Sequence, residues 1–174
     1  MTHITESSMT FGPLRREHLF HVEESEGYSM LREKGLKTVE FIYYNPESLK
    51  LIFLEAKTSF SNPDSGSSKN FEANIDEIVE KFSDALDLYL HQLIHKKTDN
   101  LFNTIDYNSV EIRFFLVVKT AKRDWIRNIH DALNVRLQKL SKIKHLWKPR
   151  LNVFNEESAR KWKLLQDSGD SFWQ

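Results

Sequence analysis

The chain has 174 residues, of which 40% are hydrophobic and 29% are charged, and its formal net charge is zero. This composition is typical of one globular domain with enough chain to form a core. The absence of cysteine excludes disulfides, thiol catalysis and cysteine zinc sites. The first thirty residues have no apolar signal region and no apolar run approaches the length of a membrane span, which predicts a cytoplasmic protein without a membrane partner.

Charge is distributed unevenly along the chain. Residues 1–100 carry 11 basic and 17 acidic side chains, whereas residues 101–174 carry 14 basic and 8 acidic ones. From Lys119 to Arg150 the sequence holds ten basic side chains and two acidic ones. A concentrated positive region attracts phosphate backbones, while clustered acids suit a metal site. The alternative is that the basic side chains only solvate a helix surface.

The predicted elements, taken in chain order, describe an α/β domain. Few apolar residues and a Gly12-Pro13 break predict a flexible tail over residues 1–13, followed by a single domain over 14–174. After an ambiguous segment, periodicity predicts strands at 37–44, 49–57, 109–118 and 151–154 and helices at 70–96, 121–143 and 156–166. The polar stretch between the second strand and the first helix has loop composition. Helices interleaved with apolar strands favour a central mixed sheet flanked by helices on both faces.

The triplet Glu55-Ala56-Lys57 ends the predicted second strand and is the only acid-x-Lys triplet in the chain. Because side chains alternate along a strand, Glu55 and Lys57 share a face with Leu51 and Phe53. Charged groups at the rim of a buried strand must be solvated, paired or bound to an ion. A divalent metal would meet that requirement, and a salt-bridged pair at a strand end is the structural alternative.

A second acid, Glu40, lies on the strand that precedes this triplet. The segment Asn45-Pro46-Glu47-Ser48 has turn chemistry. If these four residues form the loop, Glu40 lies opposite Phe53 on the face that carries Glu55, and the two acids are diagonal neighbours about 7–8 Å apart. A three-residue loop would instead place Glu40 on the other face.

With these motifs the chain resembles the PD-(D/E)xK nuclease superfamily, and the matching stretches are residues 39–44 and 51–59. The resemblance implies a restriction-endonuclease-like fold. It also implies that Glu40 and Glu55 hold Mg²⁺ or Mn²⁺, that the Ala56 carbonyl is a further ligand, and that Lys57 positions or activates water. Glu40 stands where the family usually has aspartate, and glutamate is likewise an oxygen ligand suited to Mg²⁺.

A third acid and a histidine pair are further candidates. Resembling nucleases often contribute another acid from the element before the first motif strand, which makes Glu23 or Glu24 a candidate ligand, with a solvated acidic turn as the alternative. His91 and His95 have the i, i+4 spacing of two metal-binding imidazoles. They lie nearly opposite the apolar stripe of their helix, which favours a solvated pair.

A basic, aromatic segment provides the candidate nucleic-acid surface. Trp147 lies in sequence between Lys144, Lys148 and Arg150. Bases stack on aromatic faces and neighbouring cations hold phosphates. Trp125, by contrast, belongs to an apolar helix stripe and is predicted to lie in the core.

These features predict a metal-dependent nuclease that hydrolyses phosphodiester bonds, with DNA favoured as substrate and defence or repair as the expected setting. One alternative is a non-catalytic nucleic-acid-binding or assembly module that retains a nuclease-like fold. Another is a protein-interaction subunit of a larger complex, which would use exposed helices. A homodimer would suit the cutting of two strands, although no residue in the sequence demonstrates one.

Overall fold

A five-stranded mixed sheet organises the chain in the computed structural model, which describes residues 1–63, 68–95, 102–166 and 173. The strands are β1 Thr2–Glu6, β2 Met9–Leu14, β3 Leu19–Phe20, β4 Phe41–Asn45, β5 Lys50–Lys57, β6 Glu111–Val118 and β7 Arg150–Asn155. The helices are α1 Glu26–Leu31, α2 Ser68–Ile94, α3 Arg123–Leu137 and α4 Glu156–Lys161. The main sheet has the order β3-β4-β5-β6-β7, and β1 and β2 form a separate hairpin.

The strand β5 lies at the centre of the sheet. It pairs antiparallel with β4 and parallel with β6, which pairs parallel with β7. The predicted α/β class with a central mixed sheet is therefore confirmed, while the restriction-endonuclease-like fold stays a prediction. The carboxyl ends of β5, β6 and β7 meet at one edge, because parallel strands point the same way.

The long helices α2 and α3 cover one face of the sheet, where they form the larger apolar core. The core residues contributed by β5 and β6 on this face alternate along each strand, as Leu51, Phe53, Phe114, Leu116 and Val118. The phenyl rings of Phe82 on α2 and Phe114 stack with centroids 4.3 Å apart. The predicted apolar stripe of α2 is thus the packing face of that helix.

The hairpin β1–β2 packs against the other face of the sheet, together with α4 and Trp173. The prediction of a flexible tail over residues 1–13 is wrong, because Met9, Phe11 and Leu14 are buried in this second core. Few apolar residues suffice there, since a two-stranded sheet buries only one of its faces. The second face is consequently covered by a hairpin and one short helix rather than by long helices.

Several element boundaries differ from the predicted ones. The strand predicted at 37–44 is β4, which begins only at Phe41. The helix predicted at 121–143 ends at Leu137 and is followed by a π-helical turn, Lys142–Trp147. Part of the predicted loop before α2, residues 64–67, lies outside the described residues. Among the helices described, none has the length and apolar character that crossing a membrane requires.

Candidate active site

Glu55 is the most deeply buried charged group of the site, with a side chain that is 0% exposed. Alternation along β5 turns it toward α2, the face predicted from the sequence. Its Oε1 accepts a hydrogen bond of 2.7 Å from the Nζ of Lys81. Its Oε2 has no hydrogen-bond partner among the described residues. One carboxylate oxygen is therefore left free to accept a donor or ligate a cation.

Glu40 lies beside the same strand end, although not in the register predicted. Ile42 pairs with Phe53, so the expected pairing of Glu40 with Phe53 is wrong. Glu40 precedes β4 at a bend, where its backbone N–H donates to the carbonyl of Leu54 at 3.0 Å. The turn explains the difference: Asn45 still belongs to β4, and the loop comprises residues 46–49.

The two acids are electrostatically coupled. Burial raises the pKa of Glu55 to about 8, the ammonium of Lys81 opposes this rise, and the charge of Glu40 adds to it. Burial raises the pKa of Glu40 to about 7, and the charges of Lys81 and then Lys57 oppose that rise. Each shift favours the neutral acid, so ionising the two groups together is costly when no cation is bound.

Two side chains of α2, Glu77 and Lys81, complete the charged cluster, and sequence reasoning missed both. The Nζ of Lys57 contacts the Oε1 of Glu77 at 2.6 Å. Burial lowers the pKa of Lys81, but the charges of Glu55, Glu40 and Glu77 outweigh burial and raise it. Burial likewise raises the pKa of Glu77, and the hydrogen bond and charge of Lys57 reverse that effect. The cluster thus alternates carboxylates and ammonium groups.

A signal for these two residues was present in the sequence. Glu77 and Lys81 are spaced i, i+4 and so lie on one side of α2. They directly precede Ile78 and Phe82, which belong to the buried stripe. A charged pair at the border of an apolar stripe is a candidate for ion pairing with the rim of the sheet beneath it.

The Ala56 carbonyl accepts a hydrogen bond of 3.0 Å from the hydroxyl of Ser7, in the turn of the β1–β2 hairpin. Nearby, the Nζ of Lys119 donates to the carbonyl of Ser8 at 3.0 Å. A carbonyl oxygen has two lone pairs, so this bond leaves the oxygen of Ala56 one further acceptor position. The N-terminal hairpin therefore borders the candidate site, an arrangement that the prediction of a flexible tail did not include.

The two candidate third acids, Glu23 and Glu24, lie in different surroundings. Glu23 is exposed, and its charge helps to raise the pKa of Glu40, as does the charge of Glu6. Glu24 instead lines a different cavity, which also contacts Gln92. Among the described residues no group of three acidic or histidine side chains is arranged to hold a metal. Glu23 is thus the candidate of the predicted pair that lies nearer the carboxylates.

The donor set suits magnesium better than a metal that needs a complete protein cage. Magnesium is often bound by one or two carboxylates plus substrate phosphates and keeps several waters. Glu40, Glu55 and the carbonyl of Ala56 supply oxygen ligands of this kind, and no donor among residues 1–63, 68–95, 102–166 and 173 reaches the buried Oε2 of Glu55. These residues fit Mg²⁺ or Mn²⁺. His91 on α2 and His95 just after it are exposed, and their ring centroids lie 4.4 Å apart.

The predicted nucleic-acid segment lies at the other end of the sheet. Trp147 packs partly against the core, and the Nε of Arg150 pairs with the Oε1 of Glu111 at 2.6 Å. Lys144 and Lys148 are exposed. All four residues lie before or at the amino end of β7, whereas Glu55 and Lys57 lie at the carboxyl end of the parallel strands. The structure therefore does not bring this segment to the carboxylates.

Trp125 is partly buried against the larger core, and the Nζ of Lys122 lies 5.6 Å from the centre of its ring. Its packing agrees with the core position predicted from the helix stripe.

Comparison of the chain with protein-family models, with curated proteins and with solved structures finds no match.

Proposed function

We propose that the chain is a metal-dependent nuclease that hydrolyses phosphodiester bonds in nucleic acid, with DNA as the favoured substrate. The supporting observation is the meeting of Glu40 and Glu55 at one strand end, where a buried oxygen of Glu55 has no donor among the described residues. Burial and the charges of neighbouring acids raise the pKa of both groups, so ionising them together is costly. A divalent cation would stabilise both charges together.

The residues take distinct roles in this proposal. Glu40, Glu55 and the Ala56 carbonyl would hold Mg²⁺ or Mn²⁺, which when bound would polarise the phosphate and lower the pKa of a water molecule. Lys57 orients the attacking water and offsets negative charge that develops on the phosphate. Glu77 holds the ammonium of Lys57 at 2.6 Å.

Lys81 adds a second ammonium to the same strand end. In the absence of metal its Nζ contacts the Oε1 of Glu55 at 2.7 Å. Only 19% of its side chain is exposed, so its charge acts in a medium that screens less than water. When a divalent cation binds Glu55, Lys81 becomes available for a phosphate oxygen of the substrate.

The same ion pair favours a second candidate function, a non-catalytic nucleic-acid-binding or assembly module. Lys81 already supplies Glu55 with a partner, and a paired charge can serve the fold alone. In such a module the cluster would fix α2 on the sheet, and the carboxylates would have no specific affinity for divalent cations. Metal binding therefore separates the two candidates.

Metal-free protein is expected to gain thermal stability when Mg²⁺ or Mn²⁺ is added, because a ligand bound only by the folded state shifts the folding equilibrium. Glu55→Gln should lose this response, since the amide is a weaker ligand without charge. Glu47→Gln is the matched control, because Glu47 is exposed in the turn of the same hairpin. Scanning calorimetry across a range of metal concentrations measures the three responses.

Titration calorimetry and a nuclease assay complete the test. If the wild type shows no specific divalent binding, with or without nucleic acid, the site is an ion-pair cluster and the non-catalytic module is correct. Metal-dependent cleavage of single- or double-stranded substrate that disappears in Glu55→Gln supports the nuclease. An equal metal response in wild type and Glu55→Gln would place the cation elsewhere.

A further inference from the structure

A groove of about 550 Å³ follows the outer edge of β7. β7 is the last strand of the main sheet in the described chain. On one side of the groove stands α3, which packs into the larger core through Ile129 and Leu133. On the other side stands α4, whose Ala159 belongs to the second core. The groove is therefore a cleft between two helices with a strand edge as its floor, a shape that accommodates an extended chain.

The α3 side of the groove is basic. Arg123, Arg127 and His130 line it, at spacings of four and three residues that put them on one side of the helix. The Arg127 side chain is 90% exposed. No acidic side chain is among the described residues that line the groove. The lining thus favours a negatively charged occupant.

Two acids close to the groove reduce this charge without cancelling it. The Oδ2 of Asp131 lies 3.7 Å from the Nε of Arg127, and the Oδ1 of Asp131 lies 3.1 Å from the Nδ1 of His130. The charge of Arg123 contributes to lowering the pKa of Glu157, after the larger effect of the hydrogen bond from Lys161. Glu157 already pairs with Lys161 at 2.5 Å.

The α4 side presents an aromatic surface. Trp162 lies just beyond α4 and is 46% exposed. Its ring is tilted against Phe154, with centroids 5.2 Å apart and an interplanar angle of 60°. A partly exposed indole held in place by a buried ring is a platform on which a nucleobase can stack. Basic side chains facing an aromatic platform across a cleft match the recognition of a single strand better than that of an acidic peptide, which has no bases to stack.

The groove extends along β7 to Asn155, at the same end of the sheet as the carboxylates. Asn155 at the end of β7 aligns with Val118, which aligns with Lys57. Two strand spacings separate β7 from β5, a distance of about 10 Å. Residues 119 and 120 bridge the interval, since their backbone N–H groups donate to the carbonyls of Lys57 and Thr58.

We propose that this groove binds single-stranded nucleic acid, with Arg123 and Arg127 contacting phosphates and Trp162 stacking on a base. The choice of polymer rests on the proposed nuclease function. The binding itself requires neither metal nor cleavage, so the two proposals can fail separately. The groove replaces the segment 144–150 as the surface that leads substrate to Glu55 and Lys57.

The test is the binding of fluorescein-labelled oligothymidylate in EDTA, followed by anisotropy over a range of salt concentrations. Arg123→Glu/Arg127→Glu should weaken binding at least about tenfold and flatten the slope of log affinity against log salt by about 1.4, the value for two lost contacts to single-stranded phosphates. Lys144→Glu/Lys148→Glu makes the same change in charge at the opposite end of the sheet. It should change the affinity by much less.

Trp162→Ala tests stacking separately from charge. Loss of one stacked base should weaken binding by about fivefold to a hundredfold without changing the salt slope, and Trp162→Phe should restore most of the affinity. Circular dichroism verifies that each variant folds.

The proposal is overturned if the two double reversals weaken binding equally, because affinity would then follow net charge alone. It is also overturned if Trp162→Ala binds like the wild type, or if polyglutamate displaces the oligonucleotide as effectively as unlabelled oligothymidylate. If the groove binds the oligonucleotide but the protein shows no response to divalent metal, the binding proposal is supported and the nuclease function is contradicted.

Discussion

Lys57→Ala is expected to slow cleavage by about 10²-fold or more, the usual scale for losing a positioned electrostatic or proton-transfer group. Lys57 lies two residues after Glu55 on the same strand face, so it can reach a metal-held phosphate or water without being a ligand itself. Substrate binding with metal should remain largely intact. Single-turnover cleavage with enzyme in excess measures the chemical step, and anisotropy measures binding.

Glu77→Gln is the matched control for the broken ion pair. It removes the charge that contacts Lys57 at 2.6 Å but leaves the ammonium in place. Its cleavage rate should stay within a few-fold of the wild type. Equal rates for wild type and Lys57→Ala would contradict the role given to Lys57. A loss of about a hundredfold in Lys81→Ala under the same conditions would then assign that role to Lys81.

Local sequence patterns were sufficient to predict the strand that carries the site. Period-two alternation and an apolar run identified β5, its burial and the face of Glu55. The stripe of α2 identified its packing face, and residues 151–154 were correctly predicted to form a strand. These features depend on neighbours in sequence, so periodicity is enough to predict them.

Contacts between segments that are distant in sequence could not be predicted from local patterns. Lys81 reaches Glu55 across 26 residues, and the pairing depends on the angle at which α2 crosses the sheet. The register of Glu40 failed because Asn45 extends β4 by one residue and the turn begins later. A turn motif specifies that the chain reverses, whereas the last paired residue is decided by packing.

Counting charges along the chain identified a basic segment but not its place on the surface. The segment from Lys119 to Arg150 runs from one end of the sheet to the other through α3. Its residues therefore occupy two separate surfaces. Arg123 and Arg127 line a groove near Lys57, while Lys144 and Lys148 precede β7 at the far end. The order and direction of the strands must be known before these residues can be assigned to two different surfaces.

The free energy of unfolding of the metal-free protein is expected to fall as pH rises from about 5 to 8. Folding raises the pKa of Glu55 from 4.5 to about 8, so in this window the folded state holds a proton that the unfolded state has lost. Stability therefore decreases with pH, by up to about 1.4 kcal/mol per unit. Glu40, with a pKa of about 7, contributes with the same sign up to that pH.

Glu55→Gln should flatten this dependence and make the metal-free protein more stable than the wild type at pH 8, by about 2 kcal/mol or more. Urea denaturation in EDTA between pH 5 and 9 measures the difference. Parallel curves for the two proteins would show that Glu55 does not titrate in this range.

Lys81→Met removes the cationic partner of the Glu55–Lys81 pair, whereas Glu55→Gln removes the acid. It leaves a carboxylate that is 0% exposed without the ammonium 2.7 Å away. The protein should lose about 1 kcal/mol at pH 9, where Glu55 of the wild type is ionised, and less at pH 5, where Glu55 is protonated in both proteins. The double variant Glu55→Gln/Lys81→Met should recover most of the loss, because no buried charge remains to be neutralised. If the double variant is no more stable than Lys81→Met, then Lys81 stabilises α2 by packing its alkyl chain rather than by neutralising Glu55.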